Sequence, residues 1–290
     1  MNEIWSKSIQ GADTLYYSRR LRFADRFHSA YEAGFGGAIA ERARILEIGC
    51  GPGALAEALR RWYPSTEIVG IDRDSGFIDY AARRVGGVSF MEGDATALPF
   101  TDESVDVTIS NTVVEHIEPS LFFGEQYRVL KRGGSCIVLS ARRGISVVAD
   151  ACRETDAERD FWARASADDD TFSRYGVGKY AVNEAELPQR MEEYGFRNVT
   201  VSYVAVNLTP DDPSVSAEMA EEIINAERYG ALDSLAGVAR AMPAGVTAEE
   251  TRWMCETVNQ RFDGRLRDYR EGKKHWDTQV ALIMIARGTK

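Results

Sequence analysis

Between residues 43 and 140, short apolar runs of strand length alternate with segments in which apolar residues recur at helical spacing. The predicted strands are residues 44–48, 67–72, 88–92, 105–110 and 135–140. The predicted helices between them lie near residues 54–62, 77–84 and 121–130. This strict alternation of strand and helix indicates a parallel sheet with helices on both faces.

Outside that segment the pattern is less regular. Near the N-terminus Phe23, Phe27 and Tyr31 are four residues apart, which predicts a helix that packs these three side chains inward. Residues 141–182 mix acids, glycines and aromatics, which favours an insertion over another strand and helix. Residues 208–277 predict helices, one of which begins at a capping box.

These elements predict an α/β fold with a doubly wound, mostly parallel sheet and helical cap insertions. The runs at 199–206 and 280–286 are short enough to be strands that pair with each other. The predicted parts are a helical lid over residues 1–42, a core over residues 43–207 with 278–290, a cap insertion over residues 141–182 and a second cap insertion over residues 208–277. The sequence leaves open whether the second insertion covers a site or forms a homodimer interface.

The composition limits the partners of the chain. An excess of 45 acidic over 35 basic residues gives a net charge of -10, which argues against a general surface for nucleic acid. The four cysteines show no repeated spacing, so neither a disulfide framework nor a zinc site is expected. No signal-peptide pattern and no apolar run near the ~18 residues of a membrane span is found. We therefore expect a cytoplasmic protein with a small-molecule partner and no membrane association.

The candidate chemistry begins where the first predicted strand ends. Gly49, Gly51 and Gly53 occupy alternate positions there, and they make a turn so close that a residue with a Cβ atom could not follow it. The turn leads into a helix whose first N–H groups have no partner within the helix. Strand, glycine turn and helix together predict a site for a nucleotide-type ligand.

Polar residues follow the next three strands at the same edge of the predicted sheet, where open parallel sheets bind ligands. Asp72 ends the second strand, and its carboxylate offers two acceptor oxygens to the two hydroxyls of a ribose. Asp94 follows the third strand and can accept from an exocyclic amine, while the small Ala95 leaves room for a flat base. Asn111 follows the fourth strand. The arrangement predicts an adenosine site.

The series ILEIGCGPG, EIVGID, FMEGDATALPF, DVTISNTVVEHI and YRVLKRGG resembles the class I S-adenosylmethionine-dependent methyltransferases, most closely their ubiquinone-biosynthesis-like small-molecule group. The resemblance covers roughly residues 43–140. It implies a seven-stranded sheet whose last strand is antiparallel. It also implies in-line transfer of a methyl group from S-adenosylmethionine to a small molecule, which leaves S-adenosylhomocysteine as product.

The resemblance also implies the cofactor-binding residues. Glu47 and the three glycines would hold the methionine part, Asp72 the ribose, and Asp94 with Ala95 the adenine. Arg73 would flank the adenosine, and Asn111 would lie near the amino-acid end. The predicted set is Glu47, Gly49, Cys50, Gly51, Gly53, Asp72, Arg73, Asp94, Ala95 and Asn111. Cys50 has no identifiable base beside it, so we interpret it as a small buried residue of the turn.

Two alternatives compete with this reading. Gly49, Gly51 and Ala54 also satisfy the glycine pattern of nicotinamide dehydrogenases. Glu47 argues against that class, because a carboxylate repels a pyrophosphate but attracts a sulfonium or an ammonium. The second alternative is a protein of the same fold that binds S-adenosylmethionine without turnover, as a regulatory partner.

Outside the cofactor set, His116 is the candidate catalytic residue. It follows the fourth strand, where the methyl acceptor should lie, and could take a proton from the acceptor. The alternative is a histidine that packs the next turn. No metal is expected, because Asp168, Asp169 and Asp170 lack organised companion ligands and are interpreted as a solvated acidic loop.

Overall fold

The computed structural model describes residues 5–166, 171–241 and 245–290. Seven strands form one sheet in the order β3-β2-β1-β4-β5-β7-β6. The strands are β1 Arg44–Ile48, β2 Glu67–Asp72, β3 Ser89–Glu92, β4 Val105–Asn111, β5 Leu130–Val147, β6 Arg197–Asn207 and β7 Thr278–Thr289. The first five are parallel, and β7 is antiparallel to both β5 and β6. The predicted fold class and the strand pair β6–β7 are confirmed.

Helices cover the sheet and its carboxyl edge. They are α1 Ala12–Arg22, α2 His28–Phe35, α3 Ala54–Trp62, α4 Ser75–Arg84, α5 Pro119–Val129, α6 Asp156–Ala165, α7 Thr171–Arg174, α8 Glu186–Glu193, α9 Ala217–Ala241 and α10 Ala248–Arg270. Short helical turns lie at Trp5–Ile9, Asp25–Phe27, Val114–His116 and Asp150–Cys152. Along the described parts of the chain, no helix is both long and apolar enough to cross a lipid bilayer.

The chain order creates a crevice beside β1. The chain runs outward from β1 to β2 and β3, and then returns to place β4 on the other side of β1. Ile48, the last residue of β1, is in register with both Ile71 and Ser110. Because the strands are parallel, the segments that follow β1 and β4 leave the sheet at one edge and in opposite directions. A ligand site is expected at this point.

The N-terminal aromatic residues are buried as predicted, although one helix does not carry them. Phe23 follows α1, Phe27 ends a helical turn and Tyr31 lies in α2, and all three are buried. The tyrosine hydroxyl donates to the carbonyl of Arg22 at 3.1 Å. The chain therefore bends between the two helices while keeping the apolar side chains on the core.

The strand predicted at residues 135–140 is longer in the structure. Strand β5 continues to Val147, and residues 141–147 pair with residues 278–283 of β7. The register shifts beside Gly144, where a Cβ atom would lie 1.7 Å from the carbonyl oxygen of Val280. The extension depends on a partner strand more than 130 residues away, so its own polar and exposed sequence did not reveal it.

Helices α6, α9 and α10 share a hydrophobic cluster of their own, with Phe161, Leu235 and Met254 fully buried. The capping box of Thr247 with Glu250 opens α10, as predicted. The predicted acidic loop at residues 168–170 lies outside the described residues. The division of the chain into lid, core and two cap insertions stays a prediction.

Candidate active site

A cavity of about 420 Å³ lies at the carboxyl edge of the sheet. Its volume is in the range of small-molecule sites. The residues of the predicted set that line it are Glu47, Gly49, Cys50, Gly51, Asp72, Arg73, Asp94, Ala95, Asn111 and His116. The structure thus brings together residues from four strand ends and from the turn after β4.

The glycine turn follows the path that its residues predict. Gly49 and Gly51 have φ angles of 64° and 52°, in the left-handed region that favours glycine. A Cβ atom at position 49 would lie 2.5 Å from a methyl group of Val113. At position 51 it would enter the cavity, with only the Leu15 side chain near it at 3.5 Å. Gly49 is therefore required where the turn packs against Val113, and Gly51 gives a ligand close access to the backbone.

Gly53, also predicted to bind the cofactor, does not line the cavity. Its φ angle is 88°, and a Cβ atom there would lie 3.1 Å from both Ala81 and Phe90. These neighbours belong to α4 and β3, on the side of the turn away from the cavity. Gly53 is thus required for the turn and for packing rather than for contact with a ligand.

The N–H groups of the turn are less available than the sequence indicates. Cys50 N–H donates to the carbonyl of Ile71 at 2.9 Å, and Gly53 N–H donates to the carbonyl of Cys50 at 3.0 Å. Gly51 N–H donates to Oδ2 of Asp72 at 2.9 Å. The protein itself uses these three donors. Burial also raises the pKa of the Cys50 thiol well above its usual value, which agrees with a small buried residue.

Glu47 lies beneath the turn and is 2% exposed. The backbone N–H of Ala56, in the first turn of α3, donates to its carboxylate, but Oε2 is buried without a hydrogen-bond partner among the described residues. Burial, and next the charge of Asp72, raise the pKa of Glu47 well above its usual value. A buried carboxyl oxygen without a partner is costly, so a cationic group brought by a ligand fits here.

Asp72 anchors two segments of backbone. Besides Gly51 N–H on Oδ2, the N–H of Asp74 donates to Oδ1 at 2.9 Å. Each oxygen keeps a further lone pair for a ligand hydroxyl. Burial raises the pKa of Asp72, and these two hydrogen bonds oppose the rise because they favour the ionised form. The carboxylate thus shapes the glycine turn as well as facing the cavity.

The third strand end presents Asp94. Its Oδ1 accepts from the N–H of Thr96 at 2.8 Å and from the hydroxyl of that residue at 2.7 Å. This turn fixes the carboxylate and leaves Oδ2 for a ligand. Ala95 and Arg73 line the same part of the cavity, and Asn111 lines it at the end of β4.

The N-terminal segment supplies residues that the sequence did not single out individually. Trp5, Leu15 and Arg19 line the cavity. Nη2 of Arg19 donates to Oγ1 of Thr112 at 3.3 Å, which holds a guanidinium beside the cavity. Ser6 anchors the segment, because its N–H and hydroxyl donate to the carboxylate of a buried aspartate, Asp74, at 2.9 and 2.8 Å. The prediction of a helical lid over residues 1–42 anticipated a contact of this kind, but not the residues that make it.

His116 lines the cavity, but one of its ring nitrogens is already engaged. The N–H of Gly178 donates to Nδ1 at 2.9 Å, and the Trp5 ring packs edge-on at a centroid distance of 4.9 Å. Accepting at Nδ1 assigns the proton of the neutral ring to Nε2. Burial lowers the pKa of His116, with a smaller opposing effect of Glu115. The neutral ring therefore has a donor at Nε2, and its acceptor nitrogen already has a partner.

Comparison with known proteins fits this geometry. A family profile described as "Methyltransferase domain" matches residues 46–138, which contain all four strand ends. Over these residues the chain is similar to known methyltransferase domains. The predicted family and cofactor class are thereby confirmed, whereas the ubiquinone-biosynthesis-like subgroup stays a prediction.

Relatives share mainly this methyltransferase domain. A fatty-acid O-methyltransferase of Mycolicibacterium smegmatis is 37% identical over 106 residues, which cover 35% of this chain and 38% of that protein. A demethylmenaquinone methyltransferase of Thermus thermophilus is 39% identical over 101 residues, which cover 33% and 46%. The chain thus spans less than half the length of these two relatives.

The fold likeness extends beyond the matched domain. Phosphoethanolamine N-methyltransferase 2 of Haemonchus contortus, solved in complex with S-adenosyl-L-methionine, superposes with a TM-score of 0.54 and 17% identity. The match covers 99% of this chain and 59% of that chain. At this identity the likeness supports the fold, and activity has to be argued from the site itself.

Proposed function

We propose that the chain is an S-adenosylmethionine-dependent methyltransferase that transfers a methyl group in line to a small-molecule acceptor. The observation that carries this proposal is the unpartnered Oε2 of Glu47, buried under a glycine turn that approaches the cavity. The ammonium of S-adenosylmethionine is a cation of the right kind to neutralise that carboxylate. Matches of the methyltransferase domain to named methyltransferases add support.

The cofactor supplies an activated methyl group and its leaving group, so the protein's contribution is binding, alignment and exclusion of water. Asp72 would accept from the ribose hydroxyls, and Asp94 from the exocyclic amine of the adenine. Glu47 would hold the ammonium. The guanidinium of Arg19 lies beside the cavity and would hold the carboxylate of the same amino-acid end.

The acceptor is proposed to be a small, mainly apolar molecule, or the end of one. The cavity of about 420 Å³ would be shared with the cofactor, which leaves little room for a second ligand. Leu15, Phe23, Ile117 and Leu121 give its walls an apolar character. Two relatives are named for a fatty acid and for demethylmenaquinone, which are also mainly apolar molecules.

The geometry also bears on the dehydrogenase alternative. A pyrophosphate needs free N–H groups and positive charge at a glycine turn. Here Asp72 and backbone carbonyls accept the N–H groups of Gly51, Cys50 and Gly53, and Glu47 lies beneath them. This arrangement favours the sulfonium cofactor. A saturable change in NADH fluorescence at micromolar protein would contradict the choice.

Activity is tested by incubating the full chain with methyl-labelled S-adenosylmethionine and a panel of small acceptors, including fatty acids and quinols. A labelled product, or slow hydrolysis of the cofactor in a closed site, is the expected result. Tight binding of S-adenosylhomocysteine without either reaction would instead favour the non-catalytic binding protein. A cytoplasmic location and the oligomeric state stay predictions.

Replacing His116 with asparagine is expected to change turnover by less than about 3-fold. Asparagine keeps an acceptor near the position of Nδ1 for the N–H of Gly178 and removes the ring, so it preserves the structural role alone. A general base contributes typically 10²–10⁴-fold. Steady-state rates with saturating cofactor decide between the structural role and the role of base. A 100-fold loss of turnover with unchanged cofactor affinity would show that His116 is the base.

A further inference from the structure

The two edges of the sheet differ in length and in charge. Strand β3 forms one edge, and it has 4 residues, Ser89–Glu92, of which the last is charged. Strand β6 forms the other edge with the 11 residues Arg197–Asn207. An edge strand carries a row of unpaired N–H and C=O groups, and proteins protect such strands by making them short or by placing charges, prolines or bulges in them. Strand β3 follows this rule.

Strand β6 has such protection only near its beginning. Arg197 is its one charged residue, and the register with β7 shifts between Arg197 and Thr200. Residues 199–207 have the sequence VTVSYVAVN, which contains no charge, no proline and no glycine. Valine, threonine and tyrosine favour strands, and an uncharged segment of this kind pairs readily with another strand. Most of this edge is therefore unprotected.

The ladder with β7 shows which backbone groups face the free edge. Leu208 N–H donates to the carbonyl of Gln279 at 2.8 Å, and these two residues lie directly opposite each other in the register of the ladder. In an antiparallel ladder every second residue exchanges hydrogen bonds with the same neighbour, so the even-numbered residues of β6 bond to β7. The residues whose N–H and C=O groups point outward are Val201, Tyr203 and Ala205. Within the described ranges nothing bonds to these groups.

The side chains of the same three residues are exposed. Val201 is 39% and Tyr203 is 47% exposed, and Ala205 is exposed as well. Val204 and Val206, which alternate with them, are buried in the core. Apolar surface thus lies along the unpaired backbone, and a partner strand would cover the surface and pair the backbone at the same time.

The charges at the two ends of β6 favour a second copy of this chain as that partner. Arg197 begins the strand, is exposed and has no hydrogen bond or ion pair to any described residue. At the other end, Nδ2 of Asn207 donates to Oδ2 of Asp212 at 3.3 Å, which holds a carboxylate beside the last residue of the strand. Antiparallel pairing of two copies would bring the guanidinium of each strand near the carboxylate of the other.

We propose that two copies of this chain associate through β6, with the two strands antiparallel about a two-fold axis, so that their sheets become continuous. The pairing uses the same edge on both copies, so association ends at the dimer and does not continue into a filament. This interface is separate from the candidate active site, whose lining does not include Val201, Tyr203 or Ala205. It also differs from an interface made by residues 208–277. The proposal is independent of methyl transfer.

The test measures the oligomeric state of the full chain by sedimentation equilibrium over the micromolar range. We expect a monomer–dimer equilibrium without larger species. Tyr203→Lys places like charges near each other across the axis, and Ala205→Pro removes an outward N–H that does not bond to β7. Because the two-fold axis repeats each loss, each variant should weaken the dimer by about 10-fold or more. The circular dichroism spectrum and the affinity for S-adenosylhomocysteine should not change.

Met91→Lys is the matched control, since it makes the same change at a residue of β3 that is 39% exposed at the opposite edge of the sheet. It should leave the dimer unchanged. Reversal of charge tests the antiparallel arrangement. Arg197→Asp would place two carboxylates together at each end and should weaken the dimer, and the addition of Asp212→Arg should restore part of the loss.

A chain that stays monomeric throughout the range would overturn the proposal, and so would equal association of the wild type and Tyr203→Lys. Loss of the dimer in Met91→Lys would assign the interface to β3. Growth beyond the dimer would contradict the two-fold arrangement. A monomer that binds a synthetic peptide of residues 199–207 would instead assign the edge to a strand of another protein.

Discussion

Replacing Asp72 with alanine is expected to weaken binding of S-adenosylhomocysteine by about 10- to 150-fold. A hydrogen bond to a charged group contributes ~1.5–3 kcal/mol, which corresponds to that range. In this protein the same carboxylate also accepts from the N–H groups of Gly51 and Asp74 at 2.9 Å, so the loss should lie toward the upper end. Titration calorimetry measures the affinity. Asp79→Ala, an exposed aspartate of α4, is the matched control and should bind as the wild type does.

A cofactor analogue separates the two roles of Asp72. If the carboxylate accepts from the ribose, the alanine substitution should cost less affinity toward 2′-deoxy-S-adenosylhomocysteine than toward the full nucleoside. If Asp72 acts only by shaping the glycine turn, the substitution should weaken binding of both ligands by the same factor. Equal losses would therefore contradict the ribose assignment, and an unchanged affinity for both would contradict the site.

The strand ends of the site could be predicted because their signals are local. Strands β1 and β2 and helix α3 begin and end at the predicted residues. Each is a short apolar run bounded by glycine or an acid, and parallel strands deliver their ends to one edge. The cavity lining by Asp72, Asp94 and Asn111 followed from that rule, whereas Glu47 was implied by the family resemblance. The sequence did not indicate which side of the turn Gly53 faces, because that side is set by the packing of α4 and β3 behind the turn.

The segments that cover the site are held in place by contacts between residues that are distant in the sequence. Gly11 N–H donates to Asp233 at 2.8 Å across 222 positions, and Arg20 pairs with Glu222 at 3.0 Å across 202. No spacing in either segment indicates such a partner. The same holds for the ion pair between Arg261 of α10 and Glu158 of α6, which are 103 positions apart. The prediction of a helical lid over residues 1–42 anticipated a segment that covers the site, but not which residues line it.

The two acids beneath the cofactor site differ in the hydrogen bonds that their carboxylates receive. Asp72 receives two backbone N–H groups, which favour its ionised form, and Glu47 receives one. Burial raises the pKa of both, and the charge of Asp72 raises that of Glu47 further. Glu47 is therefore the group whose protonation should respond to a ligand, because an ammonium beside it would favour the carboxylate.

Replacing Glu47 with glutamine is expected to weaken binding of S-adenosylhomocysteine by about 10- to 150-fold, because the ammonium loses its charged partner. Without ligand, the variant should be at least as stable as the wild type in thermal unfolding. The change removes a buried acid whose ionised form is disfavoured by the charge of Asp72. Glu41→Gln, which changes an exposed acid just before β1, is the matched control and should alter neither quantity.

Proton release gives Glu47 a signature that a packing defect would not produce. The pKa of Glu47 is raised in the free protein and should fall when an ammonium binds, so binding between those two pKa values releases a proton. Wild-type affinity should therefore increase as the pH rises toward the raised pKa and level off above it. Calorimetry at one pH in buffers of different ionisation enthalpy counts the protons. The glutamine variant should show no such release and a flatter pH dependence, and an identical proton count in both proteins would show that Glu47 does not face the amino-acid end of the cofactor.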